Sequence, residues 1–128
     1  MKQARHQLSS SEMGHLCIYL RQGDRVASPR GWRGRWFGKS LTRHIIEAAR
    51  RDGILNATAH SAHYGFSGGD RIESEYTETT NLRLAVFVEL VAERPRLEQF
   101  VSDHATLLAQ RILLYKHVER WDLGSAGD

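Results

Sequence analysis

The chain has 128 residues, of which 41% are hydrophobic and 26% are charged, and this balance is that of an ordinary globular domain. The composition excludes disordered, collagen-like, coiled-coil and repeat proteins, and no apolar run approaches the roughly 20 residues of a membrane-spanning helix. The formal net charge is +3 at pH 7. The single cysteine, Cys17, excludes an internal disulfide and a cysteine zinc site. A lone cysteine fits a reducing cytoplasm, where we expect the protein to reside.

The first part of the chain predicts a tail, a strand, a long loop and a helix. Residues 1–14 are polar and lack both periodicity and the apolar core of a secretory signal, so we expect a flexible tail. The apolar run Leu16–Leu20 predicts a strand that is buried on both faces. After a long loop, a helix is predicted over residues 39–51, with Ser40 as its cap and Gly53 after its end. The apolar stripe of this helix consists of Leu41, Ile45, Ala48 and Ala49.

The rest of the chain predicts three further strands and a second helix. Residues 54–64 form a strand of small side chains that ends in the glycine-rich turn 65–69. Residues 82–92 form the clearest strand, because apolar residues occupy both of its faces. Pro95 opens the second helix, and residues 112–121 form the last strand. The apolar stripe of the second helix consists of Leu97, Phe100, Val101, His104 and Leu108.

The predicted order β-α-β-β-α-β is typical of an α+β ferredoxin-like sandwich, in which two helices cover one face of a four-stranded antiparallel sheet. We therefore predict a single domain over residues 15–121, with flexible tails at residues 1–14 and 122–128. Right-handed crossovers place the first and third strands at the centre of the sheet, and these are the two strands whose apolar residues face both ways.

The sheet face without helices is predicted to be an interface. A contiguous apolar patch on a globular protein usually marks an interaction site. We expect copies of the chain to cover this face in a symmetric homo-oligomer. The residues expected there are Cys17, Tyr19, Phe87 and Val91, together with either Leu113 or Tyr115.

Several short motifs between Leu16 and Trp121 resemble, in their order and spacing, the PII-like superfamily of signalling proteins, which includes nitrogen regulatory protein PII. Within the superfamily, the sequence is most similar to a branch of small bacterial proteins defined as a domain of unknown function. The matching pieces are Ile18-Tyr19, Lys39-Ser40-Leu41, residues 48–54, Ala57-Thr58 and the turn Tyr64-Gly65-Phe66.

The resemblance implies a regulatory protein and not an enzyme, and no nucleophile–base pair or paired-carboxylate site is visible in the sequence. It implies a homotrimer that holds a small anionic ligand, with an adenine nucleotide as the candidate, in clefts between subunits. It also implies a flexible loop after the second strand that reports ligand occupancy to a partner protein. A membrane transporter or channel is the partner that the resemblance suggests.

The candidate ligand-binding residues lie mainly in the glycine-rich turn and around the last strand. Glycines let a backbone approach a ligand closely, and the resemblance implies that cations at the last strand contact phosphate. Each group has a structural alternative: a mobile turn, a surface ion pair of Arg71 with Glu73 or Glu75, and charge complementarity at the end of the second helix. The full set is Lys39, Gly65, Phe66, Ser67, Gly68, Arg71, Gln110, Arg111, Lys116 and Arg120.

Lys39 lies in a stretch that nearly matches a phosphate-binding P-loop. The motif requires a glycine where the chain has Arg33, and the strand that it should follow ends well before it, so P-loop chemistry is not predicted. The free backbone amides at the start of the helix, together with Lys39, can still hold an anion. Simple capping of the helix is the alternative.

Two other functions stay open at the level of the sequence. Seven histidines raise the alternative of a trimeric metal-ion tolerance protein, although His60 and His63 would point to opposite faces of a strand. No motif with metal-ligand spacing supports it, and no metal ligand is assigned. The basic segment Arg21–Arg43 contains Trp32 and Trp36, which raises the alternative of a nucleic-acid-binding module.

Overall fold

The computed structural model describes residues 6–26, 39–74 and 82–125. Its elements follow the predicted order, with a short hairpin added after the second strand and a break in the second helix. In chain order they are β1 (His6–Arg21), α1 (Leu41–Arg51), β2 (Asn56–Ser61), β3 (Tyr64–Gly65), β4 (Glu73–Ser74), β5 (Ala85–Ala92), α2 (Arg94–Asp103), α3 (Ala105–Leu108) and β6 (Leu113–Ser125).

The main sheet has the strand order β2-β5-β1-β6, and every neighbouring pair is antiparallel. The α+β ferredoxin-like prediction is therefore confirmed, including the central position of the first and third predicted strands, which are β1 and β5. The short strands β3 and β4 pair with each other in a separate hairpin.

The apolar stripes of the helices pack on one face of this sheet. Side chains alternate along β1 and β5, so that Ile18 and Val88, which are register partners, are both fully buried against the helices. The predicted stripe of α1 is confirmed, because all four of its residues are buried. On the second helix, Leu97, Phe100 and Leu108 are buried, and the helix breaks at His104.

The prediction of flexible tails is wrong for residues 6–14 and 122–125. β1 begins at His6 and β6 continues to Ser125, and these two residues are register partners. Residues 6–12 and 119–125 form a two-stranded ribbon beyond the helices, whose side chains at 6–12 and 119–124 are exposed. Because the backbone ladder and not burial holds the ribbon, the sequence shows no apolar alternation there. Residues 1–5 and 126–128 lie outside the described residues.

We call the sheet face without helices the open face. The register changes which residues of β6 lie on it. Leu113 and Tyr115 lie on the helix side, because they are register partners of the inward-facing Ile18 and Leu16. Leu114, the partner of Cys17, lies on the open face instead. A shift of one residue exchanges the two faces of a strand, and composition alone does not fix this parity. The apolar residues of the open face include Cys17, Tyr19, Phe87, Val91 and Leu114.

Two histidines lie side by side between the helices. The ring of His104 packs 4.4 Å from that of Phe100, and its Nε2 lies 3.0 Å from a carboxylate oxygen of Asp52. The ring of His44, on α1, meets His104 edge-on at 6.3 Å. Burial is the largest cause of a lowered pKa for His44. Repulsion from His104, Lys39 and Arg51 adds to it, and Glu47 acts in the opposite direction.

Gly14 lies where β1 passes beneath α2. A Cβ atom at this position would lie 2.8 Å from Leu97 Cδ1 and 2.7 Å from Tyr115 Cε2. Because Leu97 is only 2% exposed, it has little room to move aside.

We expect Gly14→Ala to lower the free energy of unfolding by about 1–3 kcal/mol, which is the usual cost of overpacking a filled interior. Gly124→Ala is the matched control, because no atom lies within 4 Å of a Cβ atom at that position. Since alanine restricts the unfolded chain, the control should have unchanged or slightly higher stability. Urea denaturation measures both variants, and equal stabilities would contradict the close packing at Gly14.

The lowered pKa of His44 predicts a loss of stability in acid. Below about pH 6.5, the ordinary pKa of histidine, the unfolded chain binds a proton at His44 more readily than the folded chain does. The free energy of unfolding should therefore fall from about pH 7 to pH 5, and His44→Gln should make this fall shallower. Urea titrations across this range test the slope, with His6→Gln at the exposed start of β1 as the control. Identical slopes for the wild type and His44→Gln would refute the prediction.

Candidate functional site

A cleft of about 460 Å³ opens at one end of the main sheet, where three segments of the chain converge. The end of β1 contributes residues 19–21 together with Asp24, the loop after β3 contributes residues 67–70, and the connection from α3 to β6 contributes residues 109–112. The volume falls within the roughly 300–1,000 Å³ that is typical of small-molecule sites.

Backbone hydrogen bonds join the end of β1 to the connection before β6 and give the loop after β3 its local shape. The connection turns at Gln110, which adopts a left-handed φ of 66°, and Tyr19 N donates a hydrogen bond of 3.0 Å to Ile112 O at the start of β6. In the loop after β3, Gly68 adopts a left-handed φ of 59°, and Asp70 N donates a hydrogen bond of 3.1 Å to Ser67 O. The glycine is required there because other side chains rarely adopt this conformation.

Two arginines face the cleft, and each is paired with an aspartate. Arg21 Nε lies 2.9 Å from Asp70 Oδ2, and Arg21 Nη2 contacts the other carboxylate oxygen of the same side chain. Arg111 Nη1 lies 2.6 Å from Asp24 Oδ2, which also accepts a hydrogen bond of 2.9 Å from the backbone N of Arg21. The hydrogen bonds from Arg21 to Asp70 raise the pKa of that guanidinium above its ordinary value.

The electrostatics of the cleft suit a ligand with an anionic group. A guanidinium group has five N–H donors in a planar fork, and it recognises carboxylate and phosphate oxygens in pairs. Arg21 directs its Nε and Nη2 donors to the two carboxylate oxygens of Asp70, so a ligand can use this pair of donors only when Asp70 leaves it. The side chains of Arg111 and Asp24 are only 29% and 20% exposed, so solvent screens that pair less than a surface ion pair.

The structure brings together candidates from both halves of the predicted site. Ser67 and Gly68, from the glycine-rich turn, line the same cleft as Gln110 and Arg111, from the connection into the last strand. The four residues therefore line one cleft, and their role in ligand binding stays a prediction.

The structure does not bring the other candidates to this cleft. Lys39 contacts Glu47 on α1, and Arg71 Nε lies 3.1 Å from Glu73 Oε1, so Arg71 forms the ion pair with Glu73 that was its structural alternative. Arg120 Nε lies 3.2 Å from Asp122 Oδ1 on the ribbon. Gly65 and the exposed Phe66 precede the cleft-lining part of the turn, and Lys116 lies on the open face beside His15.

Sequence reasoning missed Tyr19, Arg21, Asp24 and Asp70 as residues of the cleft. Arg21 and Asp24 follow directly on the apolar run of a central strand, and charged residues at the end of a buried strand were the available signal. Arg21 was instead assigned to the basic segment of the nucleic-acid alternative. Asp70 carried no local signal, because its partner is 49 residues away in the chain.

The described residues give little support to the two other functions. Over residues 6–26, 39–74 and 82–125, no group of three His, Cys, Asp or Glu side chains could hold a metal ion. His15 and His60 approach Glu89 Oε2 at 3.8 and 3.7 Å on the open face. Trp32 and Trp36 of the nucleic-acid alternative lie outside the described residues. In the part of the chain that the structure describes, none of the helices has the length and hydrophobicity that a membrane span requires.

Comparison with known proteins identifies a family and a fold. The family model DUF190, described as "Uncharacterized ACR", matches residues 14–120. CPII, a nitrogen regulatory PII-like protein from Thiomonas intermedia K12 solved with ADP, AMP and bicarbonate, is similar with a TM-score of 0.61 and 7% sequence identity, over 88% of this chain and 91% of that chain. A putative PII-like signaling protein from Thermus thermophilus has a TM-score of 0.52 and 10% identity over the same shares of the two chains. The predicted resemblance to PII-like proteins is confirmed at the level of the fold.

Proposed function

Because the chain belongs to the DUF190 family and has the fold of PII-like proteins, we propose that it is a PII-like regulatory protein that binds a small anionic ligand. The ligand class that we favour is an adenine nucleotide, and we propose no catalytic role. The observation that carries the proposal is the cleft in which Arg21 and Arg111 face the glycine-rich turn.

The lining of the cleft supplies the groups that a nucleotide needs. The two guanidinium groups match phosphate oxygens in geometry and charge. Gly68 and Gly69 offer backbone that a phosphate can approach, since neither residue has a side chain. Tyr19 and the half-exposed Ile112 offer aromatic and apolar surface on which a base can lie.

The ligands of similar structures support this choice. CPII was solved with ADP, AMP and bicarbonate in one structure, and with ADP and bicarbonate in another. CPII and this chain share 7–8% sequence identity, so the adenine nucleotide is our proposal for this chain.

We further propose that the protein is a homotrimer in which copies of the chain cover the open face. Tyr19 links the two features, because it lies on the open face and also lines the cleft. A copy that covers the open face would therefore border the cleft and make it a site between subunits. Lys116 and Arg120, on the open-face side of β6, are the candidates to reach the cleft of a neighbouring copy.

Signalling would use the loop that follows β3. Ser67 and Gly68 belong both to the cleft lining and to this loop, so a ligand that contacts them would favour one loop conformation over another. A partner protein would dock on the loop according to ligand occupancy. From the family resemblance we propose a membrane transporter or channel as the partner, and the lone Cys17 supports a cytoplasmic location.

The nucleotide proposal predicts that ADP binding depends on Arg111. Removal of one charge-assisted phosphate contact typically costs about 1.5–3 kcal/mol, so Arg111→Gln should weaken ADP binding by about tenfold or more in isothermal titration calorimetry. Arg43→Gln is the matched control, because Arg43 pairs with Glu47 on α1 and does not line the cleft. A wild-type protein that binds neither ADP nor AMP would overturn the nucleotide assignment. Equal weakening in both variants would overturn the assignment of the site.

The trimer proposal predicts a molar mass in light scattering of three times that of one chain. Phe87→Asp should shift the protein towards monomer, because it places a new charge among the apolar residues of the open face. Phe66→Asp is the matched control, since Phe66 is exposed and lies outside the main sheet. Circular dichroism checks that both variants keep their fold. A monomeric wild-type protein would overturn the trimer and the site between subunits.

A further inference from the structure

Asp70 occupies the place on Arg21 that an anionic ligand would take. Its carboxylate receives both Nε and Nη2 of the guanidinium, with 2.9 Å between Nε and Oδ2. A phosphate group offers a pair of oxygens to the same fork. We propose that Asp70 competes with the anionic ligand for Arg21 and thereby sets the affinity of the cleft. This inference rests on the proposed function.

Asp24 faces the same cleft but is held too firmly to compete. One of its carboxylate oxygens accepts hydrogen bonds from the backbone of Arg21 and from Arg111, at 2.9 and 2.6 Å. Its backbone carbonyl accepts a hydrogen bond of 2.9 Å from Leu41 N at the start of α1. Withdrawal of Asp24 would therefore break contacts to β1, to α1 and to the connection before β6.

Asp70 lies in a segment that can move at a much lower cost. It directly follows Gly68 and Gly69, and the part of the loop before it is closed by one short-range hydrogen bond, from Asp70 N to Ser67 O. A Cβ atom at Gly68 would lie 3.7 Å from Ile112 Cδ1, and no atom lies within 4 Å of a Cβ position at Gly69. The loop therefore lies against Ile112 at Gly68 and has open space at Gly69, next to Asp70.

The ion pair between Arg21 and Asp70 couples ligand binding to the conformation of the loop after β3. When an anion takes the Arg21 fork, the Asp70 carboxylate loses its partner and becomes a like charge beside the ligand. Repulsion then drives Asp70 away from the cleft, and the loop of residues 67–70 moves with it. The ligand thus needs no direct contact with the outer part of the loop in order to change it.

The expected gain from removing the competitor is moderate. The side chain of Arg21 is 51% exposed, so the ion pair is partly screened by solvent. Exposed ion pairs of this kind contribute little, and loss of the negative charge beside the ligand adds to the effect. Asp70→Asn should therefore tighten anion binding about three- to tenfold.

Calorimetric titration of ADP and of inorganic pyrophosphate into matched variants tests the competition. Glu73→Gln is the control for net charge, because it removes the same charge three residues away, at a side chain whose Oε1 lies 3.1 Å from Arg71 Nε. Arg21→Gln, alone and combined with Asp70→Asn, completes a double-mutant cycle. We expect Asp70→Asn to tighten binding, Glu73→Gln to change it less than about twofold, and Arg21→Gln to abolish the gain from Asp70→Asn.

Each result counts for or against the competition. An unchanged or weaker affinity in Asp70→Asn, an equal gain in Glu73→Gln, or a gain that persists without Arg21 would overturn it. If the wild type binds ADP and Asp70→Asn binds it equally well, the proposed function stands and the competition fails. If no variant binds ADP but Asp70→Asn tightens pyrophosphate binding, the nucleotide assignment fails and the competition stands. If neither probe binds to any variant, both are overturned.

Discussion

The antiparallel pairing of β1 with both β5 and β6 is the constraint on which the rest of the structure depends. Ile18 is the register partner of Val88 on one side and of Leu113 on the other, and this register turns the same set of side chains towards the helices on three strands. It also leaves Cys17 and Tyr19 on the open face. A shift of one residue in either ladder would exchange the two sets, so the hydrophobic core and the exposed apolar face have a common origin.

The same pairing positions the cleft. β1 ends at Arg21, next to the place where the chain enters β6. The Arg21 side chain therefore lies beside the connection that contains Gln110 and Arg111. Two aspartates compensate the two arginines, and the cleft therefore carries no net excess of charge from these four side chains. Under the competition that we propose, an anion would enter this cleft by exchange of ion-pair partners and not by filling a positive pocket.

Features that repeat along the sequence could be predicted, and features that depend on distant partners could not. The stripe of α1 and the two-sided apolar character of the central strands follow from local periodicity, and they were sufficient to give the topology. The ribbon is held by backbone hydrogen bonds between residues at opposite ends of the chain, such as Leu8 and Leu123, and its exposed side chains carry no pattern.

In the site, Ser67, Gly68, Gln110 and Arg111 could be proposed from their residue types. The pairing of Arg21 with Asp70 could not, because it forms only once the loop after β3 is folded against the end of β1.

The ribbon has a mechanical consequence. Since His6 and Ser125 are partners at its tip, a force that pulls these two residues apart acts across the ladder and loads its hydrogen bonds one after another. The strands would separate one residue pair at a time from the tip inwards. Little tension would reach the helix-covered part of the sheet until the last exposed pairs had separated. In this geometry the ribbon would separate before strain applied at its tip reached the cleft at the far end of β1.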